Sequence, residues 1–172
     1  MTGSKGATQL SDNSSYKVHF PDLDVGEDDL NDGRFTYLNV SIFDHWLTEE
    51  EAEDSRIASY SIAKSNGKLD EYMGGEKKFL KLYRSLSKQG VICNRPGPLR
   101  RLEIVDKELN RVFVNSLREQ HLMDVFFVNC KVRAFGRYDR TDLLIIEDAA
   151  FLSDLKEEIA SAGLFVLHSD IV

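Results

Sequence analysis

Apolar and polar side chains alternate from Arg34 to Phe43. Phe35, Tyr37, Asn39, Ser41 and Phe43 share one parity; Thr36, Leu38, Val40 and Ile42 share the other. A period of two with one more apolar side predicts a strand, with the Leu38 and Val40 face turned inward. The pattern then changes. Thr48 followed by Glu51 forms a capping-box sequence, and Leu47 stands where it can staple against Ala52. These signals predict a helix from Thr48 to about Ala63. Its apolar stripe is thin (Ala52, Ile57, Tyr60, Ala63), the mark of a helix lying on a surface.

EYMGG reads as a break. Glu76 to Lys88 reads as a stronger helix, because Phe79, Leu82, Tyr83 and Leu86 recur at i, i+3, i+4 and i+7. Val91 and Ile92 predict a short strand before the Pro96–Gly97–Pro98 loop. Leu102–Val105 and Arg111–Asn115 read as two strands, and Ser116–Met123 as a short helix opened by a Ser116/Glu119 capping box. Val125 to Phe135 alternates as one long strand, and Gly136–Asp142 is a polar turn. Leu143–Ile146 is a continuous apolar strand, Ala149–Ala162 a helix closed by Gly163, and the last residues a final strand. The elements add up to an α+β fold: a mostly antiparallel sheet packed against two or three helices.

The chain has 172 residues and 42% apolar composition, enough for one domain with a real core. Residues 1–15 are rich in Ser, Gly, Thr and Asn and are expected to be a disordered lead-in, leaving 16–172 as the single folded domain. Their lack of an apolar run excludes a signal peptide, and no apolar stretch reaches the length of a transmembrane helix. Two cysteines, Cys93 and Cys130, are too few for a disulfide scaffold, so both are read as reduced, buried thiols in a cytoplasmic protein.

The formal charge of −7 is unevenly spread. His19 to Asp54 holds 12 acidic residues against Arg34 alone, whereas Lys64 to Arg140 holds 17 basic and 9 acidic residues. Acidic segments favour basic partners; the middle leaves nucleic acid open.

Catalytic chemistry is hard to find. The segment from Asp22 fails the calcium-loop pattern, with Glu27 where glycine is required and Gly33 where glutamate is required. Asp124, Asn129, Lys131 and Glu147 only approximate a magnesium nuclease, since Asn129 stands where an acid is needed. Four scattered histidines and no Cys-x-x-Cys argue against zinc, and no phosphate loop or nucleophile elbow is present. Cys130 and His121 are not linked by any pattern, and Cys130 shares the apolar face of its strand. The charged residues between Arg137 and Asp148 therefore read as a sheet hairpin with a charged turn, Gly136–Asp142, and Glu147 and Asp148 as caps of the next helix, with no cofactor or metal expected.

The stretch from Asp124 to Ile146, followed by SDLKEEIASAGLFVLHSDIV, resembles the closing portion of bacterial polymorphic-toxin immunity proteins. The resemblance rests on Ser153, Asp154, Lys156, Ala162, Gly163 and Leu164 and covers about a third of the chain. It implies a cytoplasmic protein that binds and neutralises a toxin without chemistry, and it supplies no catalytic residue. Both lines lead to a non-enzymatic protein-binding module with a basic protein partner. Its contact patch is placed at Asp44, Trp46, Glu49, Glu50 and Glu53, with Phe43 as a further apolar anchor. The alternative is a nucleic-acid-associated protein or divergent nuclease using Lys77, Lys78, Lys81, Arg84, Arg100 and Arg101.

Overall fold

The alternating segment after Arg34 forms strand β1, Thr36–Ser41. Leu38 and Val40 enter the main core, as the parity predicts. The opposite parity is covered too: Asn39 and Ser41 are buried and Tyr37 packs in a smaller cluster. A computed structural model describes residues 13–23, 25 and 33–168 of the chain. Most of the calcium-like segment and residues 1–12 lie outside the described residues. Residues 13–15 open a turn of 3-10 helix, Asn13–His19.

The remaining strands are β2 (Val91–Arg95), β3 (Arg100–Leu102), β4 (Asp124–Phe127), β5 (Val132–Phe135), β6 (Thr141–Ile146) and β7 (Phe165–Leu167). They form one sheet in the order β3-β2-β4-β5-β6-β1-β7. Every neighbouring pair is antiparallel. The fold is thus α+β, a mostly antiparallel sheet packed against helices.

The capping box at Thr48 is formed: Glu51 N donates to Thr48 Oγ1 at 3.2 Å, and Thr48 N to Glu51 Oε2 at 2.8 Å. The helix it starts, α1, spans only Glu49–Asp54. Ser55 is extended, and Ser59 caps a second helix, α2, Tyr60–Ser65. The predicted single helix to Ala63 is therefore two short ones. A stripe this thin gives little packing energy to hold the intervening turn helical.

Helix α3 spans Leu69–Leu86 and runs through the glycines that read as a break. Its buried stripe starts at Tyr72 and continues through Phe79, Tyr83 and Leu86. Gly75 is tolerated because tertiary packing requires it. A Cβ there would lie 2.6 Å from Arg140 Nη2.

Lys107–Leu117 is helix α4, in place of the expected joining segment and the second strand, Arg111–Asn115; of the first expected strand, Leu102–Val105, only Leu102 lies in a strand, at the end of β3. Leu109, Val112, Phe113 and Ser116 are its buried positions, a helical spacing. The β-propensity of Val112, Phe113 and Val114 points the other way and is overridden by this burial. Ser116 lies near the end of α4 and does not open a helix. Its Oγ accepts from Met123 N at 3.1 Å, and Gly136 is needed beside it because a Cβ would fall 2.0 Å from that oxygen.

The predicted long strand at Val125–Phe135 is a hairpin, β4 and β5, with the turn closed by Lys131 at φ 53°. Asn129 and Cys130 occupy the turn, so the alternation that suggests continuity spans two strands. Helix α5, Leu152–Ser161, follows a short 3-10 turn, Ala149–Phe151, whose N-cap Asp148 accepts from Ala150 N.

Helices α3, α4 and α5 cover one face of the sheet. Tyr83 lies at the centre of that core, its ring 5.1 Å from Phe113 and 5.9 Å from Phe127. Both cysteines are buried. On the other face Phe135, Leu143 and Ile145 pack with Leu23, Val25, Phe35 and Tyr37. There the segment leading from Asn13 to Leu23 lies across the strands, tied by Asn13 Nδ2 to Leu99 O at 3.1 Å and by Arg133 Nη1 to Pro21 O at 2.7 Å.

The adjacent glycines of α3 make a paired test. Gly74 is exposed with nothing near a new Cβ, so Gly74→Ala is expected to stabilise by up to about 1 kcal/mol. Gly75→Ala is expected to destabilise by about 1–3 kcal/mol, because the guanidinium it meets is held in place. Urea unfolding of the two variants checks the opposite signs; equal gains would show that Arg140 yields freely.

Candidate functional site

One end of the sheet carries a groove of about 500 Å³ between the β1–α1 connection and the β5–β6 turn. Phe43, Trp46, Leu47 and Ala52 form one wall, and Arg137, Tyr138 and Asp139 the other. Trp46 is 45% exposed and Tyr138 62% exposed, high for large aromatic side chains. Trp46 is nevertheless fixed, because its Nε1 donates to His168 O at 3.0 Å. Phe43 and Leu47 continue into a shallower depression lined by Glu50, Glu51, Asp54 and Ser55. The groove is thus apolar at one end and acidic at the other.

His45 stands between these halves. Its Nδ1 lies 2.6 Å from Asp44 Oδ1 and its Nε2 3.1 Å from Glu51 Oε1. Hydrogen bonds to Asp44 and then to Glu51 raise the imidazole pKa. His45 holds Asp44 and Glu51 in one cluster and reduces the repulsion of the acidic helix start.

Beneath the Tyr138 wall lies a buried polar network. Asp142 is 3% exposed, yet its carboxylate accepts from Tyr83 Oη and from Arg137 N, the latter at 2.9 Å. Burial pushes the Asp142 carboxyl up to about 6, against the opposing effect of these hydrogen bonds. Arg140 lies 3.7 Å over the Tyr72 ring and donates from Nη2 to Tyr72 O at 2.8 Å. Burial lowers the Arg140 pKa. It also pushes the Tyr72 hydroxyl up to about 12, and that hydroxyl donates to Leu117 O. Glu76, next along α3, pairs with Arg118 at 2.7 Å, and Arg118 in turn lies over the Tyr60 ring. Asp139 and Arg140 both adopt positive φ, and Asp139 N donates to Glu119 Oε1 at 3.2 Å. The charged turn is therefore held from below by α3 and from the side by the end of α4.

Of the residues assigned from sequence to a partner surface, Trp46 lines the groove and Glu50 lines its acidic extension. Asp44 acts through His45. Glu49 and Glu53 are exposed on α1 without lining either depression. Tyr138, Arg137 and Val25 belong to the groove and were not legible, since nothing local says that the β5–β6 turn meets the β1–α1 connection. The basic set is dispersed in its roles. Lys77, Lys78, Lys81 and Arg84 are exposed on α3, with Lys81 donating to Ser161 O and Arg84 to Asn110 Oδ1. Arg100 is clamped by Glu108, Pro96 O and Pro98 O, and Arg101 by Glu103 and Gln89 O.

The nuclease-like acid Asp124 is 1% exposed and both its oxygens accept from Arg133, at 2.8 and 3.0 Å. Asn94 Nδ2 adds a third bond at 2.7 Å. Among the described residues no three His, Cys, Asp or Glu side chains converge as a metal site would require, and no helix is long and apolar enough to cross a membrane. Cys130 is 4% exposed and burial pushes its thiol up to about 11.

The buried carboxyl gives a pH signature. Unfolded, Asp142 ionises near 3.8; folded, near 6. Between these values the folded state keeps a proton that the unfolded state has lost, so its contribution to stability falls as pH rises from about 4 to about 6, by ~3 kcal/mol in all. Asp142→Asn removes that loss. Its stability relative to wild type is expected to improve by roughly this amount between pH 4 and pH 7, measured by urea unfolding; a pH-independent difference would contradict a raised carboxyl. Comparison of the chain with models of known protein families, with curated proteins and with solved structures found no match.

Proposed function

We propose that this chain is a non-enzymatic protein-binding module whose groove takes a segment of a basic partner protein. An apolar side chain of that segment fills the space between Trp46 and Tyr138, and a Lys or Arg meets Glu50, Glu51 and Asp54. The carrying observation is the juxtaposition of two exposed aromatic side chains with an acidic helix start on two adjoining depressions that share Phe43 and Leu47. Rigid aromatic anchors at the centre supply most of the affinity in such surfaces, while the surrounding charge governs the rate of encounter. Neutralisation of a toxin by occlusion is one form of this activity, in line with the C-terminal resemblance to immunity proteins.

The chain contains a single tryptophan, Trp46, so intrinsic emission reports this groove directly. Peptides selected by display on the immobilised protein are expected to be rich in Lys and Arg around an apolar residue and to shift that emission. Tyr138→Ala is expected to weaken the selected peptides about tenfold or more. The triple change Glu49→Gln, Glu50→Gln and Glu53→Gln leaves the Thr48–Glu51 cap intact. It is expected to slow stopped-flow association several-fold at ~50 mM salt and to matter little at ~300 mM. Selection of acidic peptides, or binding indifferent to both Tyr138 and the α1 carboxylates, would refute the proposal.

A further inference from the structure

The second face of the sheet holds another cavity, separate from the groove. It measures about 550 Å³ and lies between the Val18–Leu23 segment and strands β4, β5 and β6. The size is typical of a small-molecule site. Phe126, Val128, Ile145, Phe35 and Leu23 give it an apolar lining. Aromatic rings lie in and beside it. The His19 ring stacks on Phe126 at 4.3 Å with planes 22° apart. The Arg133 guanidinium lies 5.1 Å from the Phe20 ring and 4.3 Å from the Phe135 ring.

The charges at the mouth are almost all committed. Arg34 pairs with Glu147 at 3.0 Å. Arg133 is spent on Asp124 and Pro21 O. Asp148 caps Ala150 N at 2.9 Å. Lys131 lines the cavity, is exposed, and makes no hydrogen bond or ion pair among the described residues. The β4–β5 turn that carries it has a positive φ at that residue. One uncommitted cation beside an apolar, ring-lined space selects a ligand with a matching pair of features.

The cover over the cavity is nowhere buried. No residue of the Asn13–His19 turn is buried, and Val18 is 75% exposed at the rim. The segment is held by the Asn13 and Pro21 hydrogen bonds and by ring contacts of His19 and Phe20. Opening it requires no disruption of the helix-side core.

We infer that this cavity is a binding site for a small, flat, mostly apolar molecule carrying one anionic group, with the rings seated against Phe35 and Ile145 and the anion at Lys131. The site is independent of the partner-binding groove.

Two probes of similar aromatic body separate the contributions: 1-anilinonaphthalene-8-sulfonate, which is anionic, and N-phenyl-1-naphthylamine, which is neutral. Fluorescence titration of the full chain is expected to give one site with the sulfonate bound more tightly. Lys131→Gln, an exposed change that leaves the fold alone, is expected to abolish that preference while leaving the neutral probe's affinity within about twofold. Val128→Trp is expected to fill the space and weaken both probes more than tenfold. Tyr138→Ala, in the other groove, is expected to change neither. Absence of one-site binding in the wild type, retention of the sulfonate preference in Lys131→Gln, or loss of binding in Tyr138→Ala would each overturn the assignment. The Lys131→Gln comparison decides the question even if Val128→Trp fails to fold.

Discussion

A buried guanidinium fixes the end of this sheet. Arg140 is 6% exposed, laid on the Tyr72 ring and bonded to the Tyr72 carbonyl, above the one helical position where only glycine leaves room. Taking a charge this far from water costs several kcal/mol unless it is matched by favourable partners. The π face of Tyr72, one carbonyl and the nearby carboxylates of Glu76, Glu119 and Asp142 offset part of that cost, while Nη1 is buried without a hydrogen-bond partner and burial still lowers the pKa. The result is specificity of placement. A turn with two consecutive positive-φ residues, Asp139 and Arg140, has a single seat on α3.

The groove depends on that seat. Arg137 N donates to buried Asp142, which Tyr83 of α3 also holds. Arg137 Nη2 donates to Val25 O at 3.1 Å, and Tyr138 projects from the same turn. Helix α3 therefore places one wall of the groove from inside the core. The other wall hangs from β1, where Ser41 Oγ donates to Arg140 O at 3.2 Å and Thr141 Oγ1 donates to Ser41 Oγ at 2.9 Å. Both walls converge on the same few buried polar groups. The second face has a parallel arrangement in Asp124 and Arg133, which hold β4, β5 and the Asn13–Leu23 segment together.

The sequence exposes what is local and hides what is paired at a distance. The Thr48 capping box, the β1 alternation, the apolar run of β6 and the stripe of α5 depend on neighbours in the chain and are readable. Helix α4 is misread because Val112, Phe113 and Val114 favour strand, and the core they enter decides otherwise. The Gly74–Gly75 pair looks like a break because the reason for Gly75 lies at Arg140. The polar turn expected at Gly136–Asp142 does join β5 to β6, with Thr141 and Asp142 already in β6, but its residues are of two kinds: Tyr138 and Asp139 line a surface groove while Arg140 and Asp142 are interior. Composition cannot separate these, since Tyr72 and Tyr83, which take up the interior pair, are far off in sequence, where Tyr83 reads only as core and Tyr72 as part of the EYMGG break. On the proposed partner surface, Trp46 and the acids of α1 are assigned from residue type and charge, whereas Tyr138 enters only once the β5–β6 turn is placed beside them.

The most direct test of this arrangement is native-state hydrogen exchange at the Arg137 amide in Tyr83→Phe. That change removes one hydroxyl and its bond to Asp142 while keeping the aromatic ring in the core. If the buried network positions the turn, the Arg137 amide should exchange about tenfold faster or more. Amides of the β2–β4 pairing, remote from Asp142, should then change only as far as global stability does. Equal changes at both places would mean that the groove wall is held by general core stability and not by the Tyr83–Asp142–Arg137 connection.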